Sequence, residues 1–241
     1  MSDIDQAKQA LRDRVWRGLI DAGGAPADSY GKIPGFHGAQ RTAERLEEVD
    51  GWRRAATVKA NPDRAQLPVR RAALEKGKLL YTAVPRMAGP QPFFVLDPHT
   101  LTIPLAEAAD KRGAARVGRR VGVEEMRPVD VVVCGSVAVN RSGARIGKGA
   151  GYSDLEVALL TEAGLVTEDT VIVAPVHPLQ VIEDDIPETG HDFSVDYIVT
   201  PDEVIACGNR RRPTGLVWDD LTPEKIAAIP VLAARDPRRT V

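Results

Sequence analysis

At 241 residues, with 32 Lys and Arg against 34 Asp and Glu and a formal net charge of −2, the chain can bury roughly three quarters of its unfolded surface and needs no covalent staple. The balanced charge gives no global pull toward nucleic acid or an anionic membrane. Two cysteines, Cys134 and Cys207, make no disulfide framework, and four histidines without metal-ligand spacing argue against a zinc centre. No apolar run approaches membrane length, and no secretory core precedes the charged first segment, so the expectation is one soluble, cytoplasmic domain over residues 1–241.

In chain order, residues 3–22 read as an amphipathic helix, with Ile4, Ala7, Leu11, Val15 and Leu19 at helical spacing. Lys8 and Arg12 stand one turn apart on it and share a face, which on the residues alone is a solvated basic face. A glycine–proline stretch ends the helix, residues 30–38 are turn-rich, and 39–49 read as a second helix. Residues 55–60 form a strand. Pro68 opens a further helix that Gly77 closes, the missing proline N–H suiting a first turn. Residues 78–84, 93–96, 129–133, 171–174 and 196–200 are β-branched or apolar strand candidates. Cys134, at a strand end, reads as a buried apolar thiol. Arg210–Arg212 and the tail 235–239 read as solvated segments, and His177 as a packed or loop histidine rather than a general acid–base. Strands alternating with helices imply an α/β fold, a mainly parallel sheet flanked by helices in three layers.

Between the strand 129–133 and a helix expected over 155–163 lie Gly143, Gly147, Gly149 and Gly151, with Arg145 and Lys148 interleaved and Asp154 just after. Glycines allow close backbone approach to a ligand, and a helix opening from such a turn favours anions. The loop is neither the dinucleotide fingerprint, which needs a later glycine, nor a Walker loop, which needs Gly-Lys-Ser/Thr. Two cations and a following aspartate suggest a polyphosphate with a divalent metal, where a bare strand–helix connection is the plainer alternative.

The run Gly143-Ala-Arg145-Ile-Gly147-Lys-Gly149-Ala-Gly151-Tyr152-Ser-Asp154 resembles the nucleotide loop of the 5-formyltetrahydrofolate cyclo-ligase family. The likeness continues in Lys8 to Arg12, in Gly77 to Pro85, and in Gln180, Pro187, His191-Asp192 and 195–200. The resemblance implies an ATP- and Mg2+-dependent ligase that closes a ring on a formamide substrate, a reduced folate or an analogue. It assigns Lys8, Arg12, Arg145, Gly147, Lys148, Gly149, Gly151 and Tyr152 to ATP and Asp154 and Asp192 to Mg2+. Either aspartate alone reads as a helix or turn cap. Arg145, Tyr152 and Asp63 are the implied catalytic residues, Tyr152 at the junction of nucleotide and substrate and Asp63 orienting the acceptor.

Four positions depart from the pattern: Val139 and Asn140 in the turn, Ser153 where a second aromatic stands, and Asp63 where a longer glutamate faces folate. These resemble the methenyltetrahydrofolate synthetase domain-containing branch. Two alternatives therefore stay open. One is the same chemistry on another formamide, such as a thiamin-related pyrimidine, and the other is a nucleotide-binding regulatory module without turnover. No nucleic-acid partner is expected, and the oligomeric state is not legible.

Overall fold

The computed structural model describes residues 2–239. Helix α1 (Asp3–Asp21) opens with a capping box, in which the Ser2 hydroxyl accepts from the Asp5 N–H and the Asp5 carboxylate accepts from the Ser2 N–H. It buries Val15, Trp16 and Leu19, and also Lys8. Next come α2 (Ala39–Arg45), β1 (Thr57–Ala60), α3 (Leu67–Glu75), β2 (Leu79–Ala83) and β3 (Phe93–Leu96). Short helices α4 (Leu105–Ala108) and α5 (Lys111–Val117) lead to β4 (Arg119–Val121) and β5 (Val131–Val133). The hairpin β6 (Ala138–Asn140) and β7 (Arg145–Ile146) precedes α6 (Tyr152–Glu162). Then follow β8 (Val171–Pro175), β9 (Val181–Ile182), β10 (Tyr197–Val199), β11 (Val204–Ala206), α7 (Pro223–Ala228) and α8 (Pro230–Ala233).

Eight strands form one sheet in the order β11-β10-β8-β5-β1-β2-β3-β4. The run from β10 to β2 is parallel, while β11, β3 and β4 pair antiparallel at the edges. In β5, Val132 faces one core with Ile172 and α6, while Val131 and Val133 face the other with Val58, Val69 and Leu74, as the two-residue repeat of a strand requires. Helices therefore cover both faces, as expected for buried parallel strands. From β1 the chain winds one way to β2, and from β5 the other way to β8 and β10. That reversal opens a crevice at the carboxyl ends of β1 and β5, where open α/β sheets bind ligands. A second sheet, β7-β6-β9, stands under α1, around a third cluster of Val15, Trp16, Ala138 and Ile146.

The α/β class, the long strands and the first helix match the sequence reading, and Cys134 is fully buried. The strands β4, β6, β7, β9 and β11 go beyond it. Each is two or three residues long, too short for a periodicity to register. Helix α6 starts at Tyr152, not at residue 155, because left-handed Gly151 (φ +70) serves as its N-cap.

The Arg210–Arg212 run is corrected as well. Arg212 is largely buried, pairs with Asp196 at 2.5 Å and donates to the Ser194 carbonyl. Arg211 donates to the Thr189 carbonyl at 2.7 Å, and Arg210 reaches Asp196 at 3.1 Å. Through Arg212 the run ties the segment after β11 to the start of β10, while the Arg210 side chain stays exposed as expected. In the tail, Arg235 pairs with Glu124 at 2.5 Å, while Arg238 and Arg239 are exposed as expected. Among the described residues no helix is long and apolar enough to cross a membrane.

Candidate functional site

A cavity of about 640 Å³ opens at the reversal between β1 and β5. It is walled by the segment after β7, by one face of α1 and by the His191-Asp192 turn. All the nucleotide, metal and substrate candidates named from the sequence line it: Lys8, Arg12, Asp63, Arg145, Gly147, Lys148, Gly149, Gly151, Tyr152, Asp154 and Asp192.

The glycine loop is held by its carbonyl oxygens. Arg12 Nε donates to the Gly147 carbonyl at 2.7 Å, and Lys225 Nζ donates to the Ala150 carbonyl at 2.8 Å. Gly147 meets a steric demand, since a Cβ there would stand 2.9 Å from Arg145 Nη2. Burial lowers the Arg12 pKa, and the carboxylates of Asp5, Asp154 and Asp192 oppose that.

Two ion pairs set the charge of this wall. Lys8 Nζ lies 2.5 Å from Asp192 Oδ2, with both side chains about nine-tenths buried. That oxygen also accepts from the Thr189 N–H and hydroxyl. Burial pushes the Asp192 carboxyl up, but the bonds from Lys8 and Thr189 outweigh it and hold the group below the usual carboxylate range. Arg145, only 2% exposed, donates from Nη1 to Asp154 Oδ1 at 2.8 Å and stacks over the Phe193 ring at 4.6 Å. Burial opposes its charge, and Asp154 restores it. Its Nε has no partner among the described residues.

The floor at the strand ends is also charged. Glu156 on α6 lines the cavity, and behind Glu156, outside the lining, the fully buried Lys59 of β1 lies 2.5 Å from Glu156 Oε2. Asn61 Nδ2 donates to that same oxygen at 3.0 Å, while Asn61 Oδ1 accepts from the Gly135 N–H at 3.1 Å and lies 3.5 Å from Ser153 Oγ. Arg70 fixes this turn by donating to the Asn61 carbonyl at 2.6 Å and the Asp63 carbonyl at 2.9 Å; burial brings its pKa down to about 10. Burial raises the Asp63 carboxyl, against the pull of Lys148, Arg70, Lys59 and Lys111.

The structure separates the four departures. Ser153 and Asp63 line the cavity. Val139 is fully buried in β6, and Asn140 closes the hairpin by accepting from the Ala144 N–H. His177 caps the Pro178–Gln180 turn, accepting from the Leu179 N–H. Residues missed from the sequence are Lys59, Asn61 and Glu156. The only signals were one lysine inside a buried strand and one glutamate on a helix whose positions 155–160 are all buried.

The family model described as the 5-formyltetrahydrofolate cyclo-ligase family matches residues 4–201. The methenyltetrahydrofolate synthase domain-containing protein of Mus musculus is 38% identical over 233 residues, covering 94% of this chain and 62% of that protein. The Bos taurus protein of the same name is 37% identical over 236 residues, covering 94% of this chain and 61% of that protein. The chain thus spans less than two thirds of the length of these relatives. Among solved structures, the 5,10-methenyltetrahydrofolate synthetase of Aquifex aeolicus superposes with a TM-score of 0.54 at 20% identity, covering 85% of this chain and 94% of that one, a likeness of fold. By its family match, its relatives and its glycine-loop cavity, the chain belongs to the 5-formyltetrahydrofolate cyclo-ligase family.

Proposed function

We propose that the chain is an ATP- and Mg2+-dependent cyclo-ligase that converts 5-formyltetrahydrofolate to 5,10-methenyltetrahydrofolate with release of ADP and phosphate. The observation that carries this reading is the meeting of Lys8, Arg12, Arg145, Lys148, Asp154, Asp192 and Asp63 around one cavity. A formamide oxygen is a poor leaving group, and taking the γ-phosphoryl of ATP makes it a good one. The oxygen–phosphorus bond forms as the bond to ADP breaks. The neighbouring amine then attacks the formyl carbon and loses its proton, and the C–O bond breaks as phosphate departs.

The chain's part is positioning and charge neutralisation. Arg12, Arg145, Lys148 and the loop amides face the phosphates. Lys8 holds Asp192, and Arg145 holds Asp154. Asp63, its affinity for a proton raised by burial, orients the attacking amine. Tyr152, which lines the cavity, takes the junction of nucleotide and substrate in this reading. Asp154 and Asp192 fit Mg2+, which takes one or two carboxylates and completes its shell with phosphate oxygens and water. Among the described residues no group of three or more acidic, His or Cys side chains is placed to cage an ion alone. Bound Mg2+ would supply charge neutralisation on the transferring phosphoryl group. Both sheets supply walls of the cavity, which supports residues 1–241 acting as one catalytic unit with a small-molecule partner.

A second reading, the same activation of a different formamide, is favoured by the floor. Ser153, which lies 3.5 Å from Asn61 Oδ1, presents a hydroxyl where the family pattern carries an aromatic ring. Methenyl-folate formation followed by absorbance at saturating ATP decides between them. Turnover at about 1 per second or faster supports the folate reading. Slow folate turnover with brisk ADP release on another formamide supports the second.

A further inference from the structure

We infer that Lys225 is a positioning residue for the glycine loop, which it orients from a C-terminal segment lying beyond the 4–201 family match. The inference rests on the nucleotide reading of the cavity.

Lys225 sits in α7, whose Thr222 cap accepts from the Lys225 N–H, and α7 is anchored by buried Ile226. Its ammonium donates to the Ala150 carbonyl at 2.8 Å and lies 4.0 Å over the Tyr152 ring. No carboxylate pairs with it among the described residues, and burial lowers its pKa. So a half-buried cation is held on one peptide carbonyl and one aromatic face, both belonging to the cavity wall.

Ala150 lies between Gly149 (φ +90) and Gly151 (φ +70), the softest stretch of the loop. In a trans peptide, the carbonyl of one residue and the N–H of the next point in opposite directions. A cation that draws the Ala150 carbonyl to its own side therefore turns the Gly151 N–H to the other. No acceptor takes that N–H among the described residues. The Lys225 ammonium thus leaves one backbone amide oriented for an anion, as oriented backbone donors do.

The same segment also touches the His191-Asp192 turn: Asp220 Oδ2 lies 2.8 Å from His191 Nδ1, and His191 neighbours the Asp192 held by Lys8. Residues 218–225 thus contact both the glycine loop and that turn.

The test is ATP titration and steady-state kinetics on the full chain, using wild type, Lys225→Met, Lys225→Gln and Lys225→Arg. Loss of the hydrogen bond to the Ala150 carbonyl is expected to raise the ATP KM and Kd about tenfold in Lys225→Met. The melting temperature should stay close to wild type, and both Gln and Arg, which can still donate to the Ala150 carbonyl, should recover most of the loss. An unchanged ATP KM in Lys225→Met overturns the inference. Recovery by Arg alone also overturns it, since the charge and not the carbonyl bond would then matter. If Lys225→Met is too unstable to assay, comparing Gln with Arg decides the question by itself. A wild type that binds no ATP at millimolar concentration defeats the nucleotide reading itself, a distinct result from wild-type binding that Lys225→Met leaves intact.

Discussion

Along the glycine-loop wall, charge meets water: Asp154 keeps 18% of its side chain exposed beside Arg145, and Lys148 is exposed outright. At the strand-end floor, Lys59 and Glu156 are 0% and 4% exposed and lie 2.5 Å apart. In the first region exposed Lys148 and part-exposed Asp154 can take up a ligand's phosphates and metal at little cost, without parting a fully buried pair. The second cannot, because separating a buried pair strands a charge in a medium that solvates it poorly. The comparison shows that one cavity combines an adaptable anion wall with a fixed polar floor.

Breaking the floor should have the largest effect. Glu156→Ala leaves the Lys59 ammonium buried without its counter-ion, which costs about 3–5 kcal/mol of stability. Chemical denaturation should show that loss, with a melting temperature lower by on the order of 10 °C. The double variant Lys59→Met/Glu156→Met should recover most of it, since an apolar pair of similar volume leaves no orphan charge. A single-variant loss below about 1 kcal/mol would contradict the buried pair.

On the loop wall, Arg145→Ala should act mainly on turnover, raising the barrier by about 2–4 kcal/mol through loss of a cation aimed at transferring charge. Loss of its stacking on Phe193 and of its bond to part-exposed Asp154 adds a stability loss of about 2–3 kcal/mol. A variant that melts far below wild type yet turns over normally when folded would reverse this assignment.

Asp192→Asn sharpens the comparison through pH. Because the folded-state carboxyl lies below the usual range, its contribution is complete above the unfolded value of about 3.9 and is lost as pH falls through the lowered folded value. Without nucleotide or metal, the variant should be less stable than wild type by about 1.5–3 kcal/mol at neutral pH. That deficit should shrink as the pH drops below about 4. A deficit unchanged at low pH would show that the charge of Asp192 is not what Lys8 stabilises. At the small end stands Arg14, whose pair with Asp184 is half exposed on both sides. Arg14→Ala should shift stability by less than about 0.5 kcal/mol, measured by the same denaturation.

The two regions also differed in how much the sequence showed. The loop wall was legible because its geometry is local: glycines where the backbone approaches Arg145 and turns left-handed, and Lys8 and Arg12 one helical turn apart. The floor was not, because Lys59 and Glu156 are far apart in the chain and meet only when β1 and α6 pack. Lys225, 75 residues from Ala150, was hidden for the same reason. The Arg210–Arg212 run misled because Asp196, its buried partner, carries no local signal that an arginine will reach it. The parallel core strands were visible as apolar runs, while the edge strands and the small sheet were set by pairing over two or three residues.

The central claim is that this cavity activates a formamide by phosphoryl transfer from ATP. Its most direct test is ADP release at saturating ATP and Mg2+, measured with 5-formyltetrahydrofolate and a panel of other formamides against a no-substrate control. The account predicts ADP release that depends on one of these substrates and falls about 30-fold or more in Arg145→Ala. No formamide-dependent release by the wild type, with no ATP binding detectable by calorimetry at millimolar nucleotide, would contradict it.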